Sequence, residues 1–311
     1  MLVTVTPNPS LDLLFQAEAL VWDDANRLDP PRIRPGGQGV NVSRAARALG
    51  METVAVVPLG GIIGSQIRAM LEAERTPVRV VDVRSGTRIF VGVREEGTER
   101  NLLLNPRGRE LSVGEQDALA EAVLDCLTGA RWLACCGSLP SRLPDDFYAR
   151  LGAEARRTRR RFVPDCDGAA LQLAAASGCD LLVPNAHEAG RLLKRPVPSV
   201  ESAGAAARDL LDFGPAWASV TLGSQGAVCA TADGVWHAEA PLVVEGSAVG
   251  AGDAFLAAVI GALDEGAEAP HVLRRGVAAG TAALLGEGLE LIRAEDVDRL
   301  ADAVSVRPLD V

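Results

Sequence analysis

The stretch RFVPDCDGAALQLAAASGCDLLVPNAHEAGRLL, residues 161–193, decides the architecture. Residues 162–165 and 180–183 are short apolar runs of strand length, and each leads into a stretch with helical period. Strand, helix, strand, helix in direct succession means parallel strands joined by crossover helices, so the sheet is mostly parallel and covered on both faces. Moving outward, residues 2–6, 53–57, 132–136 and 218–222 read as further strands, each expected to be followed by a helix. Ser112 with Glu115 forms a capping box ahead of Leu119, Val123 and Leu127, which marks one of those helices. No internal repeat or low-complexity linker divides the chain, and one unit over residues 1–311 is expected.

Two regions break the rhythm, at about 11–34 and 78–104. Thr87 to Arg94 alternates polar and apolar residues, with the turn-like EEGTER behind it. A small β-sheet added to the main body is expected there. Open α/β sheets bind ligands beyond the carboxyl ends of their strands, so such a sheet could serve as a lid.

Composition removes several function classes. The formal net charge of −10 argues against nucleic acid or an anionic membrane as a partner. The basic cluster at residues 156–161 reads as the wet end of a helix rather than a polyanion site. No apolar run nears the roughly 18 residues that span a bilayer, and the first residues lack the pattern of a signal peptide, so a cytoplasmic protein is expected. The six cysteines form no CxxC pair and read as reduced, mostly buried thiols. Lys194 is the only lysine and lies in RLLKRP, which excludes a Walker-type phosphate loop and Schiff-base chemistry.

Four constellations could carry chemistry. Gly250, Ala251, Gly252 and Asp253 precede the apolar run from Phe255 to Ile260. Bare backbone at a helix start attracts an anion, and an acid in the same turn makes sense as a base that deprotonates an attacking hydroxyl. A helix N-cap aspartate after a glycine turn is the competing reading. Gly36, Gly37, Gln38 and Gly39 open a helix carrying Asn41, a combination suited to sugar hydroxyls or simply to a close-packed turn. It is not a dinucleotide fingerprint, because Val42 stands where a third glycine belongs. Asn185 and Glu188 lie three apart after a strand, where they could reach Mg²⁺ through water or cap a helix. Thr221, Gly223 and Gly226 could border a nucleotide or turn a hairpin toward Val228. Gly137 and Ser138 could belong to a plain strand-to-helix loop.

Taken together, TPNPSLD, PGGQGVNVSRAARALG, SGTRIFV, GSLP, PNAHE, TLGSQGA and VGAGDAF resemble, in order and spacing, the PfkB (ribokinase-like) carbohydrate kinases over almost the whole chain. The opening motif, Thr87-Arg88 and GSLP look most like the branch holding 1-phosphofructokinase, tagatose-6-phosphate kinase and the minor 6-phosphofructokinase. The resemblance implies a ribokinase-like three-layer α/β/α fold with a β-sheet lid. It implies ATP and Mg²⁺, Asp253 as catalytic base, and Gly250, Ala251 and Gly252 as the anion hole. Asp12, Gly37, Gln38, Asn41, Arg88 and Ser138 would meet a sugar phosphate. Asn185, Thr221, Gly223 and Gly226 would line the ATP site, with Asn185 and Glu188 serving Mg²⁺, and a homodimer would form through the lid. Fructose 1-phosphate is the expected substrate. Alternatives are fructose 6-phosphate, tagatose 6-phosphate, an unphosphorylated sugar or a nucleoside, and, from another class, a non-catalytic ligand-binding regulator. Three positions depart from the family's habit: Gln38 and Ser224 replace common lysines, and Phe90 replaces a common asparagine.

Overall fold

The structure, a computed structural model, describes the whole chain except residues 97, 99, 242–248 and 286–290. The turn expected at 95–100 therefore lies partly outside the described residues. The first half runs β1 (Leu2–Val5), β2 (Ser10–Ala17), β3 (Arg32–Gly36), α1 (Gln38–Ala48), β4 (Thr53–Leu59), α2 (Gly61–Ala73), β5 (Val78–Asp82), β6 (Arg88–Glu95), β7 (Asn101–Leu104) and α3 (Val113–Cys126). It continues through β8 (Trp132–Cys136), α4 (Phe147–Arg157), β9 (Arg161–Asp165), α5 (Gly168–Ala176), β10 (Leu181–Leu182), α6 (Ala186–Leu192) and α7 (Val200–Leu210). The remainder is β11 (Trp217–Thr221), β12 (Ala227–Thr231), β13 (Gly234–Ala238), α8 (Ala251–Asp264), α9 (Ala269–Ala282), α10 (Ala294–Ala303) and β14 (Val306–Pro308).

Five strands pair in parallel in the order β5-β4-β1-β8-β9, and a second set runs β10-β11-β12-β13-β14. The two sets join where the Asp180 backbone N–H donates to the Phe162 carbonyl at 2.8 Å and the Phe162 N–H donates to the Asp180 carboxylate at 2.7 Å. Strand side chains alternate between faces. Val3, Val5, Leu133 and Cys135 join the core under α3, α4, α5 and α7, while Leu2, Trp132, Ala134 and Cys136 join the one under α1, α8, α9 and α10. That alternation makes the three layers. In α8, Phe255, Leu256, Val259 and Ile260 are all buried, each contributing roughly 1.5–3 kcal/mol, so this helix is anchored firmly behind its first turn.

Three expectations are corrected. β1 leads into β2, not into a helix; β11 is not followed by a helix either but turns back into β12, the hairpin toward Val228 that the 221–226 turn allowed, so the sheet gains the antiparallel edge β12-β13-β14. Residues 78–82, assigned from sequence to the small sheet, form β5 at the edge of the central sheet. Val81 packs on one face and Val78 and Val80 on the other, a period of two that fits either sheet and is decided only by pairing with β4.

The small sheet has the order β3-β2-β6-β7 and mixes parallel and antiparallel pairs. Its register aligns Ile33, Leu13, Val91 and Leu104 in one row across all four strands. The neighbouring row, Arg34, Asp12 and Phe90, points to the opposite face.

Among the described residues no helix is long and apolar enough to cross a membrane. The six cysteines are free, and all but Cys126 are buried. Gly226 has φ +85°, and a Cβ there would overlap the Ala238 carbonyl oxygen. Gly226→Ala should therefore lower Tm by several degrees in a thermal melt, through strain in the β11-β12 turn.

Candidate active site

Asp253 is the third residue of α8 and is buried at the head of an apolar run, with no basic neighbour in sequence. Helix α8 has Gly250 at its N-cap in the left-handed region, φ +92°, and receives no side-chain cap. The cap position belongs to Gly250, and the Asp253 carboxylate instead takes a hydrogen bond from Asn41 Nδ2 to its Oδ2 at 2.8 Å. The N-cap reading of Asp253 is thereby excluded. Burial raises its pKa to about 7; the Asn41 hydrogen bond works against this, and the Asp12 charge adds to it. Among the described residues, a Cβ placed on Gly252 would meet nothing within 4 Å, so none of them covers that position in the first turn of α8. Backbone donors, a positive helix end and a base titrating near neutrality together suit deprotonation of a hydroxyl that attacks an anion held at the helix.

Asp12 lies near enough for its charge to act on Asp253. It is buried on β2, and burial raises its pKa to about 6, opposed by a 2.5 Å hydrogen bond from Ser10 Oγ and by the charges of Arg88, Arg44 and Arg34. Gly36 carries no side chain because Asp12 fills that space, and Gly39 lies against Thr6 and the Val5 carbonyl. The glycine turn therefore packs closely, as one of its two readings required, and in doing so brings Asn41 to Asp253. Behind it Arg44 forms a two-point ion pair with Glu74 at 2.7 and 3.0 Å.

A second group lies toward the β8 loop. Arg88 donates through Nη2 to the Asn8 carbonyl at 3.0 Å and through Nη1 to the Pro106 carbonyl at 3.2 Å and to the Asn105 side chain. Its Nε–H is buried without a partner. Asn8 Nδ2 donates to Ser138 Oγ at 3.0 Å, which ties Ser138 to the same loop. The exposed Gln38 side chain reaches Gly137, where a Cβ would stand 3.2 Å from its Oε1.

Asn185 caps α6, accepting from the His187 and Glu188 N–H groups at 3.0 Å each, and Glu188 Oε2 accepts from the Asn185 N–H at 2.9 Å. Both side chains are thus engaged in a capping box. Thr221 bridges to Asn185 beside it, and a Cβ on Gly223 would enter open space, whereas Gly226 is packed in the hairpin. Sequence reasoning missed Asp165, the last residue of β9. It is completely buried, its Oδ2 has no partner among the described residues, and burial, then Asp253, then Glu188 push its pKa well up. The signal was present, since the strand read at 162–165 ends on a carboxylate at the sheet's ligand-binding edge. Asn8, Arg34 and Arg44 were also missed, because only the folded loop and register bring them to Asp12 and Arg88.

The pattern of the pfkB family of carbohydrate kinases matches residues 8–293, and the chain belongs to that family. It is a phosphofructokinase-like carbohydrate kinase. It is 32% identical over 311 residues to ATP-dependent 6-phosphofructokinase isozyme 2 of Mycobacterium tuberculosis, covering all of this chain and 91% of that one. It is 30% identical to the 1-phosphofructokinase of Bacillus subtilis, covering 99% of this chain and 100% of the relative. Phosphofructokinase-2 from Escherichia coli, solved in complex with substrates and products, superposes with a TM-score of 0.90 at 30% identity, over 97% of this chain and 98% of that one. That enzyme has also been solved in a tetrameric inhibited form.

Asp253→Asn separates base from fold. It keeps an acceptor for Asn41 and should lower kcat by about 10²–10⁴ under conditions where chemistry limits the rate. A carboxylate whose folded pKa is raised from 3.8 to about 7 destabilises the fold, because the unfolded chain gives up that proton first; the penalty is full above about pH 7, shrinks as pH falls below it and vanishes only near pH 3.8. Melts should accordingly show Asp253→Asn a few degrees more stable than the parent at pH 8, with roughly half of that advantage left at pH 5.5.

Proposed function

We propose that this kinase transfers the γ-phosphoryl group of ATP to the free hydroxymethyl group of a fructose phosphate, with fructose 1-phosphate yielding fructose 1,6-bisphosphate as the first reading. The observation that carries it is the buried Asn41–Asp253 pair beside Gly252 in the first turn of α8, a position that no described residue covers. Asp253 takes the hydroxyl proton as that oxygen bonds to the γ-phosphorus, the bond to the bridging oxygen breaks, and ADP leaves. The backbone of Gly250, Ala251 and Gly252 with the positive end of α8 receives the charge developing on the phosphoryl oxygens. Asp12, ionised above about pH 6, and Asn41 hold sugar hydroxyls next to Gly37. The adenine nucleotide lies past Asn185, Thr221, Gly223 and Gly226, and the small sheet acts as the lid that keeps water from ATP.

Mg²⁺ fits this donor set through water. Among the described residues no group of three acidic, histidine or cysteine side chains is placed to cage a metal, yet Asp165 offers an unpartnered buried oxygen, and Glu188, with a raised pKa from burial, lies near enough to feel its charge. When bound with ATP, the ion would neutralise phosphate charge. Asn185 and Glu188 would orient its water shell while they cap α6.

Fructose 6-phosphate is the second reading, favoured by the 32% identity with the Mycobacterium 6-phosphofructokinase over this entire chain. Both substrates lead to the same bisphosphate and demand a cation at the far end of the sugar. Arg88 meets that demand, and its unpartnered Nε–H speaks against an unphosphorylated sugar or a nucleoside. A homodimer would form on the row Ile33, Leu13, Val91 and Leu104, in which Ile33 is 37% and Leu104 52% exposed.

An ADP-release assay over fructose 1-phosphate, fructose 6-phosphate, tagatose 6-phosphate, ribose and nucleosides tests the reading, and ATP turnover with none of them would favour a non-catalytic regulator. Arg88→Ala should cost roughly 2–5 kcal/mol in kcat/KM for the phosphorylated sugar and little for its unphosphorylated counterpart. Equal losses on both would move the phosphate away from Arg88. Glu188→Gln should raise the Mg²⁺ concentration for half-maximal rate, measured by metal titration, with sugar KM unchanged.

A further inference from the structure

A small, open groove lies beside Arg88, between the Pro7-Asn8-Pro9 loop and the segments around Ser85 and Gly108. Two arginines, Arg88 and Arg109, line it together with Asn8, Ser85 and Thr87, and no carboxylate does. In a chain with 41 acidic and 31 basic residues, that composition marks the groove as a place for an anion.

Counting donors and charge says more. Three of the five N–H groups of Arg88 are committed to Asn8, Asn105 and Pro106, which leaves one Nη2–H and the Nε–H, itself buried, uncommitted among the described residues. A phosphate monoester presents three oxygens and carries about −1.5 to −2 charges near neutral pH. Arg88 supplies one positive charge, part of which is spent on Asp12, whose carboxylate it helps to keep ionised. Gln38, the residue reaching Gly137 beside Ser138, adds only a neutral amide. Phosphate bound by Arg88 alone would remain under-neutralised.

Arg109 is placed to close that gap. It lies on the loop after β7, is exposed, and makes no hydrogen bond or ion pair with another described residue. Its neighbour Glu110 is occupied by Arg142 at 3.0 Å, and the Glu110 carbonyl by Ser85 Oγ at 2.9 Å, so neither neutralises Arg109. We infer that Arg109 is a second phosphate-reading cation, closing over the substrate's own phosphate from the groove and replacing the charge that Gln38 does not carry. This rests on the sugar-phosphate reading above and names a residue that reading does not need.

The test measures KM and kcat of Arg109→Gln for fructose 1-phosphate and fructose 6-phosphate, with Arg88→Ala alongside and ATP varied separately. The loss of one charged hydrogen-bond partner at an exposed site should raise the sugar-phosphate KM about tenfold, with kcat and the ATP KM within about twofold of the parent. Inorganic phosphate should weaken as a competitor of the sugar phosphate by a similar factor. Gln38→Lys on the Arg109→Gln background should recover most of the loss. An unchanged sugar-phosphate KM in Arg109→Gln, while Arg88→Ala is impaired, overturns this inference and spares the sugar-phosphate reading. A fall in kcat with an equal rise in the ATP KM would make Arg109 merely structural and also overturns it. Turnover of neither sugar phosphate, or indifference to both substitutions, overturns the underlying reading as well.

Discussion

The hydrogen bond from Asn41 to Asp253 spans 212 positions of sequence and fixes how the two halves of the site meet. Its donor sits in the first turn of α1 and its acceptor in the first turn of α8, and those two helices pack side by side in the core that also holds α9 and α10. A carboxylate can remain ionisable in that interior only if a donor compensates part of the lost hydration. Asn41 compensates part and no more, so the pKa stays near 7 instead of falling to the ordinary carboxylate range. The apolar body of α8 bears this cost. Phe255, Leu256, Val259 and Ile260 hold the helix while its first turn keeps an unfavourable charge, at the place where the proposed reaction would need a proton accepted.

How much of this was legible follows from the range of each signal. The parallel strands were readable because their apolar runs are local and their crossovers are helices, and residues 132–136 form a strand with the bounds read from sequence. Glycine-rich openings and the Asp253 turn were readable as places for chemistry for the same reason. The choice between capping and catalysis was not. At Asp253 it depended on Asn41, far away in sequence, and at Asn185 both cap bonds formed without settling what else the side chain serves. The strand at 78–82 carries the alternation of the small sheet yet pairs with β4, because pairing is a non-local choice that a period of two does not encode. Asp165 was visible only as the end of a strand; its significance comes from burial next to two other carboxylates.

Electrostatics around the sugar end follow from the near absence of lysine. Asp12 is surrounded by Arg34, Arg44 and Arg88, all partly or wholly withdrawn from water. Burial lowers the pKa of Arg34 and Arg88, but from a starting value of 12.5. A lysine in the same surroundings begins lower and loses its proton more readily when desolvated, whereas a guanidinium stays charged and offers a planar fork. Arginine therefore lets the lid carry buried positive charge on strands whose other face is apolar.

That choice also constrains where a phosphate can be bound. A fork on a strand has a fixed direction, and three of the Arg88 donors are already turned to loop acceptors, so an anion would meet only the two that remain. A flexible lysine at position 38 would have met it from the α1 turn; with Gln38 there, the balancing charge has to arrive from another element. The loop after β7 is the element that carries an uncommitted guanidinium into the same groove. On the proposed reading, recognition of the substrate's phosphate is tied to the position of the small sheet and its following loop, the parts that would close over the sugar before Asp253 removes its proton.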